Sequence, residues 1–257
     1  MEYSVCVSAV YAGVPIPEAI PRVKAAGYDA FEFWSWWDQD TDAINEARKR
    51  AGLRVAAFCT KFAPLNDPSQ RKDYIEGLKA SVAVAKKLEC PVLISQVGRE
   101  LKDVSRLEQH RCIVEGLRKC APMAEDAGVV LAIEPLNTLV DHKGYYLSGS
   151  PEGFEIVREV NSPGVKLLFD VYHQQITEGN IISSLTGNIL DVAHVHIAGN
   201  PGRHEPYERS ELDYSVVLGA LKEAGYGGYV GLEYLPLKDP DESLRTLLEK
   251  LPIGNSI

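Results

Sequence analysis

Four apolar runs in the second half of this chain stop on, or one residue beyond, a side chain that can bind a cation or move a proton. Val129–Glu134 reads VVLAIE, Val165–Asp170 reads VKLLFD, Val192–Ile197 reads VAHVHI and Tyr229–Glu233 reads YVGLE. A carboxylate buried among apolar groups without a partner costs several kcal/mol. Such a run therefore reads as a strand covered on both faces, with the polar group emerging where the strand stops. Few folds place four strand ends of this kind together, and that restricts the architecture before composition is consulted.

Taken from the N-terminus, the chain alternates. Strands are predicted at Tyr3–Ala9, Ala30–Trp34, Arg54–Phe58 and Pro91–Ser95, ahead of the four already named. Helices fill the intervals: Glu18–Ala26, a stretch capped by Asp40 or Thr41 and ended by Gly52, one from Asp67-Pro68 to Lys87, and Val104–Ala127 stopped by Gly128. Ser150 is expected to cap a helix with Pro151 in its first turn. A weak helix at Ile181–Leu185, one at Tyr214–Ala224 and one at Pro240–Lys250 complete the set. Eight strands alternating with eight helices predict an α/β fold, a (β/α)₈ TIM barrel forming a single domain over residues 1–257. An open doubly wound sheet is the runner-up. It lacks support because no G-x-G-x-x-G or G-x-x-x-x-G-K lies between a strand and a helix.

Composition excludes several partners. The formal charge is -9 and the pI about 5.2, which argues against nucleic acid and gives no reason to expect an anionic membrane surface. The five cysteines are scattered without a C-x-x-C pair, so reduced thiols and a cytoplasmic location are expected. Met1 leads into EYSVCVSAVY, with no basic segment or long apolar stretch, so neither a signal peptide nor a membrane span is expected.

In a parallel barrel all strand C-termini open on one face, so Glu134, Asp170, His196 and Glu233 become neighbours from the fifth to the eighth strand. Three carboxylates there would repel one another unless a cation lay between them. Three oxygen donors and one imidazole suit one divalent ion, Mn²⁺, Mg²⁺ or Co²⁺, with Zn²⁺ as a further candidate and two positions left for substrate or water. An all-thiolate zinc site is excluded by the cysteine positions. The competing reading, four structural hydrogen-bonded groups, is harder to sustain for four consecutive strands than for one.

Such a centre suits a 2-hydroxy carbonyl compound, whose two oxygens chelate the ion while the intervening C–H is acidified. Glu134 and Glu233 are then expected to be the acid and base that pass through an enediolate, giving aldose–ketose isomerisation or epimerisation. His194 shares the face of His196 and is expected to be a hydrogen-bonded interior residue. Trp34, Trp36 and Trp37 either cap the core or wall off the site, and Tyr145 and Tyr146 admit the same two readings. His204 and Glu205 divide evenly between structural and functional roles, and Lys61 and Gln96 near strand ends stay unassigned.

Segments in these positions resemble a known family. IEPLN at Ile133–Asn137, FDVYHQQITEGN at Phe169–Asn180, HVHIAGNPGRHEP at His194–Pro206 and GLEYLP at Gly231–Pro236 resemble the hydroxypyruvate isomerase-like branch of the sugar isomerase/epimerase TIM barrels. That branch lies within the xylose isomerase-like superfamily, with D-tagatose 3-epimerase a wider relative. The resemblance implies metal ligation by Glu134, Asp170, His196 and Glu233, acid/base roles for the two glutamates, and substrate contacts from His173 and Arg203. It also implies homodimers or homotetramers and conversion of hydroxypyruvate to tartronate semialdehyde. A ketose 3-epimerase and a 2-oxo-tetronate isomerase are the alternatives. One residue departs from the isomerase pattern: those enzymes usually have Gln where this chain has His196, whereas the ketose 3-epimerases have His; NPGRHEP, by contrast, resembles the isomerases. Two readings from other classes are an endonuclease IV-like metal nuclease, whose multi-zinc cluster calls for more histidines, and a non-catalytic sugar-binding barrel.

Overall fold

In the computed structural model, which describes residues 1–253, eight parallel strands close into a barrel in sequence order. They are β1 (Glu2–Cys6), β2 (Ala30–Phe33), β3 (Arg54–Cys59), β4 (Val92–Ser95), β5 (Val130–Ile133), β6 (Val165–Asp170), β7 (Val192–Ile197) and β8 (Tyr229–Leu232). β1 and β8 pair from Glu2↔Tyr229 to Val5↔Leu232, which removes both sheet edges. No helix among the described residues is long and apolar enough to cross a membrane.

Alternation of side chains along each strand sorts the residues into two cores. One set packs outward against the helices, including Phe31, Phe33, Leu131, Ile133, Val195 and Leu232. The other lines the barrel: Ala57, Val92, Ile94, Ala132 and Leu168 form a small apolar cluster on the side of β3 to β6. Ser4, Glu32, His194 and His196, on β1, β2 and β7, make the opposite side polar, and all four are buried. The interior thus has an oily half and a hydrogen-bonding half.

Helix ends follow ordinary chemistry. Asp40 accepts hydrogen bonds from the N–H groups of Asp42 and Ala43 and so starts the helix Thr41–Ala51, and Gly52 ends it in the left-handed region. Ser105 and Glu108 form a reciprocal capping box at the start of Arg106–Ala127.

Three local expectations need correction. The first strand stops at Cys6, and Val7–Val10 is a short helix; an apolar run with no polar punctuation hides the change of backbone. Ser150 does not cap the next helix, because its hydroxyl is donated to Glu178; Ser150–Val160 begins after Gly149. Between β6 and the expected helix at Ile181–Leu185 lies a further helix, Val171–Thr177, capped by Asp170.

Candidate active site

Glu134, Asp170, His196 and Glu233 converge at the C-terminal mouth of the barrel, all buried, with one ligand atom from each lying within 4.8 Å of the others. Strand parity explains the convergence. Asp170 continues the inward row of Leu168, and His196 that of His194. Glu134 and Glu233 come one residue after β5 and β8, in step with Ala132 and Gly231. Asp170, His196 and Gly231 lie side by side across β6, β7 and β8.

His196 sits at the centre. Its Nδ1 lies 3.4 Å from Glu233 Oε2, 3.6 Å from Glu134 Oε1 and 3.9 Å from Asp170 Oδ2. That nitrogen is buried and makes no hydrogen bond. A cation held at about 2.1 Å by each donor needs neighbouring donors roughly 3.0 to 4.2 Å apart, and these three separations fall in that window. Burial alone would push the imidazole towards its neutral form. The carboxylates of Glu32, Glu233 and Glu134 outweigh it and hold His196 well above the usual histidine range. Negative charge buried at this density is what a bound cation compensates. Buried oxygen donors around one unpartnered imidazole nitrogen therefore fit a hard or borderline divalent cation.

Glu32, a residue without a sequence-based expectation, faces the other edge of the imidazole as a close charge contact, without a hydrogen bond to it. Its Oε1 lies 2.9 Å from His196 Nε2, and its Oε2 accepts from Ser4 (2.8 Å) and meets His194 Nε2 at 2.7 Å. His194 is accordingly an interior hydrogen-bonded residue. Room for this contact depends on Gly231, where a Cβ would stand 2.4 Å from Glu32 Oε1 and 2.5 Å from His196 Cδ2. A signal for Glu32 was present. It is the lone acid between two phenylalanines in AFEF, so alternation turns it inward when Phe31 and Phe33 face the helices.

The two glutamates have different surroundings. Glu233 Oε1 accepts a 2.6 Å hydrogen bond from Trp34 Nε1, and Oε2 pairs with Arg203. Burial would raise its pKa, but Arg203, His196 and Trp34 hold it well below the usual carboxylate range. Glu134 lacks a cation of its own. Burial, with Glu233 and Asp170 nearby, pushes it up against the pull of His196. Asp170 divides its oxygens: Oδ1 accepts the His173 N–H (3.0 Å) at the helix N-terminus, and Oδ2 faces the centre.

Arg203 reaches the site because two loops are stitched together. Leu235 N–H donates to Arg203 O at 2.7 Å, and His204 Nδ1 lies 2.8 Å from Leu235 O. Buried Glu205 accepts from Leu237 N–H and the Ser243 hydroxyl. His204 and Glu205 are thus braces, and the guanidinium they position sits over the Tyr172 ring. His173 is buried in the wall, and burial, partly opposed by Asp170, lowers it to about 4.

These groups open into a cavity of about 420 Å³, walled on its apolar side by Trp34, Trp37, Phe62 and Leu136, with Gln96 and His142 also lining it. Trp34 and Trp37 therefore wall the site, whereas Trp36 is tied to Ser81. Tyr145 and Tyr146 are structural: the first takes the Val97 N–H, and the second donates to Glu152. The Lys61 side chain has no part in the cavity lining.

Fold and site together define an α/β-barrel protein with a buried carboxylate–histidine centre at the mouth of an eight-stranded sheet. Residues 20–251 match the model of the xylose isomerase-like TIM barrels, and the chain belongs to that family. A Homo sapiens relative, provisionally named hydroxypyruvate isomerase, is 33% identical over 88% of this chain and 87% of its own. The Escherichia coli hydroxypyruvate isomerase is 29% identical over 69% and 68% of the two chains. A solved structure from Brucella melitensis, named as a family 2 AP endonuclease, superposes with a TM-score of 0.88 at 26% identity, covering 97% of this chain and 99% of that one.

Proposed function

We propose that this protein isomerises a small 2-hydroxy carbonyl compound through an enediolate, with hydroxypyruvate to tartronate semialdehyde as the lead case. Glu134, Asp170, His196 and Glu233 would hold one divalent ion, Mn²⁺, Mg²⁺ or Co²⁺ before Zn²⁺. When bound, that ion polarises the substrate oxygens and acidifies the C–H between them. Glu134 and Glu233 would exchange protons with the two neighbouring carbons. The observation that carries this reading is the convergence of two glutamates with Asp170 and His196 on one buried point at the barrel mouth, Glu233 being held in addition by Arg203 and Trp34. An acid and a base of the same residue type are what a proton shuttle between adjacent carbons requires.

Arg203 would take a substrate carboxylate or the developing enediolate oxygen in its planar fork. The indole and phenyl walls would exclude water while that species exists. A ketose 3-epimerase is the second reading, favoured by His196 where the isomerase pattern has Gln. The nuclease reading suggested by the Brucella name has less support, because the four-residue cluster at the barrel mouth contains a single histidine.

The test is turnover in D₂O after EDTA stripping and reconstitution with Mn²⁺, Mg²⁺ or Co²⁺. Isomerisation of hydroxypyruvate places solvent deuterium on C2 of the product, and ketose epimerisation places it on C3. Glu134→Gln and Glu233→Gln should each reduce exchange by at least about 10²-fold, the low end of what general acid–base catalysis contributes. Full activity in either variant would overturn the assignment, and so would the absence of metal-dependent exchange with any 2-hydroxy carbonyl.

A further inference from the structure

The amide of Asn137 is fully committed. Its Oδ1 accepts from the N–H groups of Val140 (3.0 Å) and Asp141 (3.1 Å), closing a turn after β5. Its Nδ2 therefore faces the other way and donates to Asp141 Oδ2 at 2.7 Å and to His173 Nδ1 at 2.7 Å. The Asn137 backbone N–H also points at His173 Nδ1, at 3.4 Å. A neutral imidazole carries one proton. With two donors aimed at Nδ1, that proton belongs on Nε2. His173 Nε2 is buried without a hydrogen-bond partner, 3.6 Å from Asp170 Oδ2, and the residue lines the cavity.

We infer that Asn137 is a positioning residue that fixes His173 as the Nε2–H tautomer, so that the wall of the cavity presents a ready-made hydrogen-bond donor to a substrate oxygen beside Asp170. Two N–H groups of the turn fix the amide, the amide fixes the imidazole, and the imidazole offers one proton to the site. The donor needs no reorientation when negative charge develops on that oxygen, which is where a preorganised donor acts most strongly. The tautomer follows from the hydrogen-bond pattern alone. Only the identity of the acceptor rests on the isomerase reading above.

Long-range ¹H–¹⁵N correlation spectra of the full chain, with His173 assigned by substitution, report the tautomer without metal or substrate. The wild type should show His173 protonated on Nε2. Asn137→Asp keeps the oxygen that closes the turn but replaces the donor by an acceptor. At mildly alkaline pH it should move the proton to Nδ1, and Asn137→Ala should release a mixture of tautomers. With hydroxypyruvate as substrate, kcat of N137D should fall on the order of 10²-fold at unchanged bound-metal stoichiometry. A wild-type His173 protonated on Nδ1 would overturn the inference. So would N137D or N137A retaining the wild-type tautomer, or an inverted tautomer with undiminished kcat. If N137D does not fold, the wild-type and N137A spectra still distinguish a fixed tautomer from a free one. Failure of every 2-hydroxy carbonyl to turn over would count against the proposed activity, and the spectra would still decide the tautomer.

Discussion

Replacing Glu32 with Gln would keep its shape and remove the charge that faces His196 and His194. A carboxylate behind a ligating imidazole sets its orientation and basicity, and its loss typically costs 10- to 100-fold in metal affinity. Glu32→Gln should therefore weaken Mn²⁺ binding by about that factor in a titration followed by electron paramagnetic resonance. Gly231→Ala should do at least as much, because its Cβ would occupy the space between Glu32 and His196. Unchanged affinity in both variants would remove His196 from the ligand set. At this scale the sequence was read unevenly. The four residues at the strand ends could be found because each interrupts an apolar run at its boundary. Glu32 lies inside a strand of four residues, and nothing in AFEF alone says that two histidines from β7 wait across the barrel. Asn137 lies within IEPLN, but its role depends on hydrogen-bond directions that sequence does not contain.

Among the helices, Ser150–Val160 is held to its neighbours by Glu152. That carboxylate accepts from the Tyr146 hydroxyl at 2.7 Å and from Arg106 at 2.6 Å, and His110 Nδ1 lies 3.3 Å away. Burial would raise its pKa, but these partners overcome it and leave it below its ordinary value. A depressed folded-state pKa contributes stability above the unfolded value and loses it as pH falls through the folded one. Glu152→Gln should thus cost about 1–2 kcal/mol near neutrality in urea unfolding. The gap between variant and wild type should close as pH drops below about 4. A gap that widened in acid would contradict the sign. Element boundaries were readable where a cap marks them, as at Asp40 and Gly128. They were not readable where apolar residues continue through a change of backbone, as at Cys6–Val7.

Across the whole molecule, barrel closure forces four carboxylates, Glu32 included, into one interior. A bound divalent ion would relieve that repulsion and stabilise the folded chain. At an ion concentration of 100 times Kd the gain is about 2.7 kcal/mol. For a domain of this size that corresponds to a rise in Tm of roughly 5–10 °C. Differential scanning calorimetry with and without EDTA should show it, and a Tm indifferent to Mn²⁺ would argue against a site in the folded state. Eightfold alternation made the barrel the most accessible feature of the sequence, since it is written in periodicity and punctuation. The walls of the cavity were harder to find: Phe62 and Leu136 reach it from different loops, and only closure of the sheet brings them together.

Arg203 and Glu233 sit on segments fastened to each other through Leu235, His204 and Glu205. This half of the rim is a fixed anvil. Trp37, Phe62 and His142 stand on other loops, outside that fastening, so tailoring for longer or shorter substrates can accumulate there without disturbing the arginine or the Trp34–Glu233 hydrogen bond. Descendants of such a barrel could trade one small substrate for another by editing a few side chains there while inheriting the proposed acid–base pair intact.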